Sequence, residues 1–178
     1  MRWLTIVLAA FASVQAATLE HLSLDDLISK SNVIVRARVV SSRSAFRGPV
    51  SPSGMIYTFY RLQPTEQWKG SSVPAEIAVP GGEAQGLRLT IAGAPVLQAG
   101  QEYVFFIWVS RSGLAQVIGL TQGLFSIHQL GNGKVVLSQM STTETILDPV
   151  TKKAVSGAGA QYEYGQLKSM VAGGGGNR

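Results

Sequence analysis

The sequence contains no cysteine and only two histidines. Without cysteine the chain has no disulfide bond, no thiol nucleophile, no cysteine-ligated zinc and no iron–sulfur cluster. Two histidines are too few for a metal site built mainly from imidazole groups. We therefore predict no metal ion and no other cofactor, and a fold that is stabilised by its hydrophobic core.

Charged residues are also scarce, at 14% of 178 residues, whereas hydrophobic residues make up 46%. Such a composition is too apolar for a disordered chain. Glycine is frequent, with 20 residues, and β-branched and aromatic residues are plentiful. This combination favours short strands joined by tight turns, so we predict a mainly β protein with a single folded domain.

The first sixteen residues have the pattern of a secretory signal peptide. Arg2 precedes an apolar run that leads into Val14-Gln15-Ala16, a small-x-small cleavage pattern. A retained membrane anchor is the alternative, but the run is shorter than the roughly 20 residues that span a bilayer. We expect cleavage after Ala16, a mature protein that is periplasmic or secreted, and no membrane span after cleavage.

Period-two alternation of apolar residues predicts strands from residue 33 onward. The predicted strands are Val33–Ser44, Ile56–Lys69, Glu76–Val79, one through Leu87, Leu89 and Ile91, Tyr103–Val109, Leu114–Gly119, Leu124–Leu130 and Lys134–Ser138. Tyr103–Val109 is apolar at every position, which is typical of a central strand covered on both faces or of a strand that packs one face against a helix. Two long loops are predicted between strands, Ala45–Met55 and the glycine-rich segment Pro80–Gly86.

Helices are predicted only near the two ends of the β region. Ser23 can cap a helix whose first turn holds Asp25 and Asp26, and this helix should end near residues 31–32. Tyr162–Val171 favours a short second helix. We divide the chain into a signal peptide (1–16), a β domain (17–140), an irregular C-terminal extension that ends with the helix (141–172), and a flexible tail (173–178).

Several segments, in their order along the chain, resemble a widespread group of uncharacterised bacterial exported proteins. Those proteins are in turn similar to the OB-type barrel of netrin-like modules and tissue metalloprotease inhibitors. The segments are LDDLISKSNVIVRARVVSSRS, IYTFYRLQPTEQWKG, VPGGEAQG, LQAGQEYVFFIWV and GLTQGLFSI, within about residues 22–130. The resemblance implies a single small OB-like, netrin-like β-barrel. The inhibitors use an N-terminal cysteine to reach the enzyme's zinc, and this chain has none, so the resemblance implies a fold and not inhibition.

No motif of a known catalytic site occurs, and we predict no catalytic residue. Ser126 and His128 lie two residues apart on one predicted strand, which is a poor geometry for a nucleophile and its base. The acids Asp25 and Asp26 are explained by the start of the helix. Gly131–Lys134 lacks the spacing of a phosphate loop and predicts a hairpin turn instead.

Basic and aromatic residues alternate on the first two long strands. Arginines lie at positions 36, 38, 43, 47 and 61, and aromatic residues lie at 57, 59, 60 and 68. The two long loops carry Arg47 and Glu83. We add these two residues to the candidates because loops on a rigid scaffold are common binding sites. The predicted ligand-binding residues are Arg36, Arg38, Arg47, Tyr57 and Glu83.

These features favour an exported, non-enzymatic binding module whose partner is an unknown protein or an envelope component. Two alternatives stay open: an exported hydrolase with an unrecognised site, and a barrel that binds nucleic acid or another polyanion. Export removes the protein from most nucleic acid, which argues against nucleic acid as the partner.

Overall fold

A computed structural model describes residues 18–47, 54–142, 144–157 and 159–174. The predicted signal peptide (1–16) and residues 175–178 of the predicted tail lie outside the described residues. In the part of the chain that is described, neither helix has the length and apolar character needed to cross a membrane.

The described residues form a mainly β protein, as the composition predicts. The elements are β1 (Thr18–Glu20), α1 (Leu24–Lys30), β2 (Val33–Arg47), β3 (Met55–Lys69), β4 (Glu76–Pro80), β5 (Gly82–Ala84), β6 (Leu87–Leu89), β7 (Glu102–Val109), β8 (Ala115–Val117), β9 (Leu124–Gln129), β10 (Val135–Gln139), β11 (Thr145–Leu147), β12 (Ala154–Val155), β13 (Gln161–Glu163) and α2 (Tyr164–Gly174).

One large sheet organises the fold, with strand order β13-β10-β9-β7-β2-β3-β4 and with β8 paired to β7. The long hairpin of β2 and β3 contains three register shifts, and such bulges bend strands and increase their twist. As a result β4 lies beside β8, although no strand pairing joins them within the described residues. The closed barrel implied by the resemblance is therefore not found, because hydrogen bonding leaves this seam open.

The core has two parts, one on each face of the large sheet. Phe105 packs in the inner core, together with Val35 and Tyr60. Phe106 packs in the helix-side core, where Leu27 of α1 and Leu167 of α2 cover the sheet. The prediction that the apolar strand around Tyr103–Val109 is covered on both faces is confirmed, except that Trp108 near its end is 45% exposed.

Helix α1 begins where the sequence predicts it. The Ser23 hydroxyl accepts a hydrogen bond from the Asp26 backbone N–H at 3.1 Å, and the Asp26 carboxylate accepts one from the Ser23 N–H at 3.2 Å. This capping box satisfies two donors that the helix itself cannot satisfy. Leu27 and Ile28 are thereby held against the helix-side core, and the predicted helix is confirmed.

The predicted loops contain more strand than expected. Strand β2 continues through Arg47 and β3 begins at Met55, so both ends of the predicted loop Ala45–Met55 belong to strands of the hairpin. The second predicted loop, Pro80–Gly86, contains β5, which pairs with β6 around Gln85 and Gly86. Both turn residues have positive φ, 51° and 75°, as a tight hairpin turn requires. The prediction missed this hairpin because its strands are only three residues long.

The C-terminal prediction is wrong in three details. The segment 141–160 was expected to be irregular, but β11 and β12 lie within it and form a small sheet with β1. The second helix begins only at Tyr164, because the preceding residues pair with β10 as β13. That helix also includes Gly173 and Gly174, which the sequence assigns to a flexible tail. Packing against Ile28 of α1 extends the helix beyond its weak intrinsic propensity.

Candidate binding face

Five basic and aromatic residues share one surface on the far half of the β2–β3 hairpin. Opposite residues in an antiparallel ladder point to the same face, and the pairs Arg43–Phe59, Ala45–Tyr57 and Arg47–Met55 follow one another without a register shift. Arg61 continues this row opposite Ser41. We define the hairpin face as Arg43, Arg47, Tyr57, Phe59 and Arg61.

A bulge in β2 places this surface on the helix side of the sheet. Val35 and Val39 point into the inner core, so the even-numbered Arg36 and Arg38 point to the helix side. The register shift between Val39 and Ser41 inserts one residue, after which odd-numbered residues point to the helix side. Strict alternation along the sequence would place Arg43 and Arg47 on the wrong face, and this bulge has no clear signal in the sequence.

The hairpin face has more positive than negative charge. The Arg43 guanidinium lies 4.6 Å from the centre of the Phe59 ring and donates to Glu76 Oε2 at 2.8 Å. Glu76 is also directly opposite Arg61 in the ladder between β3 and β4. The surface therefore has three arginines and one neighbouring carboxylate, Glu76, which is already bonded to Arg43.

A cleft of about 390 Å³ lies beside the hairpin face, and we call it the hairpin cleft. Arg47 and Arg61 line it, together with Phe59, Ala78 of β4 and Leu114 of the β7–β8 turn. Arg47 donates to the Ser112 hydroxyl at 3.2 Å. Among the described residues neither Arg47 nor Arg61 forms an ion pair. The cleft thus combines a partly apolar lining, the Glu76 carboxylate that is bonded to Arg43, and two guanidinium groups that form no ion pair among the described residues.

Arg36 and Arg38, the other predicted arginines, bind one acid of the chain itself. Arg36 donates to Glu102 Oε2 from Nε at 2.9 Å and from Nη2 at 2.6 Å, and Arg38 donates to Oε1 at 2.8 Å. The hydrogen bonds from Arg36 outweigh the opposing effect of burial and lower the pKa of the Glu102 carboxyl. These two arginines therefore support the junction of β2 and β7 and stand apart from the hairpin cleft.

A second polar cluster fastens α2 to β3. Tyr164 and Lys168, both on α2, each donate a hydrogen bond to the Glu66 carboxylate. Arg36 lies 5.5 Å from the centre of the Tyr164 ring, and Trp68 meets that ring edge-on at 5.4 Å between centres. Burial alone would raise the pKa of Glu66, but the hydrogen bonds from Lys168 and Tyr164 lower it to about 2.

We expect Glu66→Gln to lower the free energy of unfolding near neutral pH. Because the pKa of Glu66 falls from 4.5 to about 2 on folding, its ionised form stabilises the fold above pH 4.5. This contribution is lost as the pH falls from about 4.5 to about 2. The free energies of unfolding of the wild type and the variant should therefore become equal in acid. Urea unfolding at several pH values measures this, with the exposed Glu163→Gln as a control. Parallel pH curves for wild type and Glu66→Gln would contradict the assignment.

Glu83, the remaining predicted residue, pairs within its own hairpin. It lies opposite Arg88 in the ladder of β5 and β6, and Arg88 Nη2 donates to its carboxylate at 2.8 Å. Both side chains are exposed. They line a different cleft of about 350 Å³ beside Thr58 and Tyr60. The structure therefore brings Arg47 and Tyr57 together on the hairpin face and leaves Glu83 outside it.

His128 is exposed on β9, and its partner across the ladder is Val136 of β10. Ser126 lies opposite Ser138, so neither residue has an acid as its direct ladder partner. Within the described ranges no three acidic or histidine side chains form a group that could hold a metal ion.

Comparison with known proteins adds no function to these positions: no protein-family model matches the sequence, and a search of curated proteins found no match.

Proposed function

We propose that this protein is an exported, non-enzymatic binding module that contacts a partner protein or an envelope component through its hairpin face. One observation carries the proposal. Arg47 and Arg61 line the same cleft as Phe59 without an ion-pair partner among the described residues. Arginine and aromatic side chains are enriched at the centres of protein interfaces, where they supply much of the binding energy.

The proposal places the mature protein in the periplasm or outside the cell. Its support is the sequence of residues 1–16, in which Arg2, an apolar run and a small-x-small end follow one another. We further propose a relation to netrin-like OB barrels. A helix leading into a long strand, the order of the matching segments, and the position of β4 beside β8 support this relation.

Photo-crosslinking from position 57 tests the proposed function. Tyr57 is half-buried on the hairpin face, so a photoreactive phenylalanine analogue can replace it with little change in shape. We expect a crosslinked partner in intact cells from position 57. The same analogue at the exposed position of His128, on another strand, should give none. Equal crosslinking from both positions, or none from position 57, would contradict the proposal.

A further inference from the structure

The side chains of the hairpin face form a straight row with a two-residue repeat. Arg61, Phe59 and Tyr57 follow one another along β3, and Met55 continues the row opposite Arg47 of β2. No register shift interrupts the pairing over this stretch. At about 3.3 Å per residue the backbone positions of the two unpaired arginines lie about 20 Å apart along the row, and both side chains line the hairpin cleft. The order along the row is cation, aromatic, aromatic, cation.

The two arginines of this row favour a ligand that carries carboxylates. Arg43 already binds the Glu76 carboxylate on this same surface, and Arg36 binds Glu102 through two of its nitrogens. The planar guanidinium group matches a carboxylate better than an ammonium group does, because it can donate two parallel hydrogen bonds. Arg47 and Arg61 have no such partner in the described part of the chain. A ligand with two carboxylates is therefore complementary to the two ends of the row.

The space between the two arginines favours a peptide over other anions. The hairpin cleft is lined there by Phe59, Ala78 and Leu114, which offer apolar surface to a ligand, and by Glu76, whose carboxylate is already bonded to Arg43. A sulfated polysaccharide carries polar groups along its whole length and has no side chain to bury in such a cleft. An extended peptide places alternate side chains on one face, with the same two-residue repeat as β3.

We propose that the hairpin face binds an extended acidic segment of a partner protein, with two carboxylates about six residues apart and apolar side chains between them. This inference rests on the proposed function and names the partner's chemistry. The segment lies along β3, its carboxylates bond to Arg47 and Arg61, and its apolar side chains contact Phe59 and the hairpin cleft.

Synthetic peptides and the full mature chain test this inference by fluorescence anisotropy. One peptide has glutamates at its first and seventh positions and leucines at its third and fifth. A second peptide of the same composition has its glutamates adjacent. We expect the spaced peptide to bind at least about tenfold more tightly than the adjacent one, and its affinity to fall as salt is added.

Matched variants show whether the arginines are responsible. The double variant Arg47→Ala with Arg61→Ala should weaken binding of the spaced peptide at least about tenfold. Arg88→Ala removes another exposed arginine, outside the hairpin face, and should leave the affinity unchanged. Circular dichroism and urea unfolding check that each variant keeps its fold. Equal binding of the two peptides, or equal losses in the two variants, overturns the inference.

Two further probes separate this inference from the proposed function. Heparin and vesicles containing phosphatidylglycerol offer sulfate and phosphate groups instead of carboxylates. If either binds more tightly than the spaced peptide and depends on Arg47 and Arg61, the peptide inference fails and the hairpin face keeps its binding role. If no probe binds and position 57 gives no crosslink, both proposals fail.

Discussion

Replacing Phe106 by alanine is expected to lower the free energy of unfolding by about 3–5 kcal/mol. The Phe106 side chain is fully buried in the helix-side core, with its ring centre 5.3 Å from that of Phe125. The backbone N–H of Phe106 donates to the Gly123 carbonyl, and the Phe106 carbonyl accepts from the Ile118 N–H. Because these hydrogen bonds hold the neighbouring backbone in place, removal of the ring leaves a cavity. The same loss is expected for Phe105→Ala on the opposite face of β7.

Urea unfolding measures this effect, and Trp108→Ala on the same strand is the matched control. Trp108 is an even larger aromatic residue, but it is 45% exposed, so its truncation should have a much smaller effect than loss of either phenylalanine. Unchanged stability of both phenylalanine variants would show that the strand is not the central element of the core.

Gly70→Ala is expected to destabilise the protein by about 3 kcal/mol or more, through two effects that add. Gly70 has φ of +95°, and a non-glycine residue in this region costs about 1–2 kcal/mol. A Cβ atom there would also lie 2.6 Å from the Asn32 carbonyl oxygen and 3.0 Å from Val33 Cγ2, so the backbone at the start of β2 must move. Such overpacking costs about another 1–3 kcal/mol.

Gly100→Ala isolates the first of these two effects. Gly100 has a similar φ of +85°, but no atom lies within 4 Å of an added Cβ. This control should therefore lose only about 1–2 kcal/mol. If thermal or urea unfolding gives equal losses for Gly70→Ala and Gly100→Ala, close packing between the end of β3 and the start of β2 is not what requires glycine.

The sequence predicts those elements whose signals are local. The alternation in Val33–Ser44, the capping residues at Ser23 and Asp26, and the Asn132-Gly133 turn each act over a few neighbouring residues. The corresponding strand, helix and hairpin are confirmed. The core position of Tyr103–Val109 is also confirmed, because its run of apolar residues supplies side chains to both faces of the sheet.

Elements that depend on distant partners could not be predicted. Strand β1 pairs in parallel with β11, more than a hundred residues later, and neither segment alternates long enough to be recognised alone. The open seam between β4 and β8 is likewise a property of the whole sheet. It depends on how strongly the β2–β3 hairpin bends at its bulges, which alternation does not reveal.

The sequence predicts the residue types of the candidate site but only some of its residues. The sequence indicates Arg36, Arg38 and Tyr57 on the first two strands and Arg47 and Glu83 in the predicted loops. Of these residues, Arg47 and Tyr57 lie on the hairpin face. It could not show that Arg36 and Arg38 bind Glu102, because those ion pairs join residues more than sixty positions apart. Nor could it show that the bulge in β2 brings Arg43 to the same surface.

We propose that the hairpin face is the binding surface of this protein and that its unpaired arginines hold the partner. The most direct measurement is the yield of photo-crosslinking from position 57 in the wild-type background and in the Arg47→Ala, Arg61→Ala double variant. We predict a single strong adduct in the first and at least about a tenfold lower yield in the second. An adduct of the same yield in both backgrounds would contradict the claim.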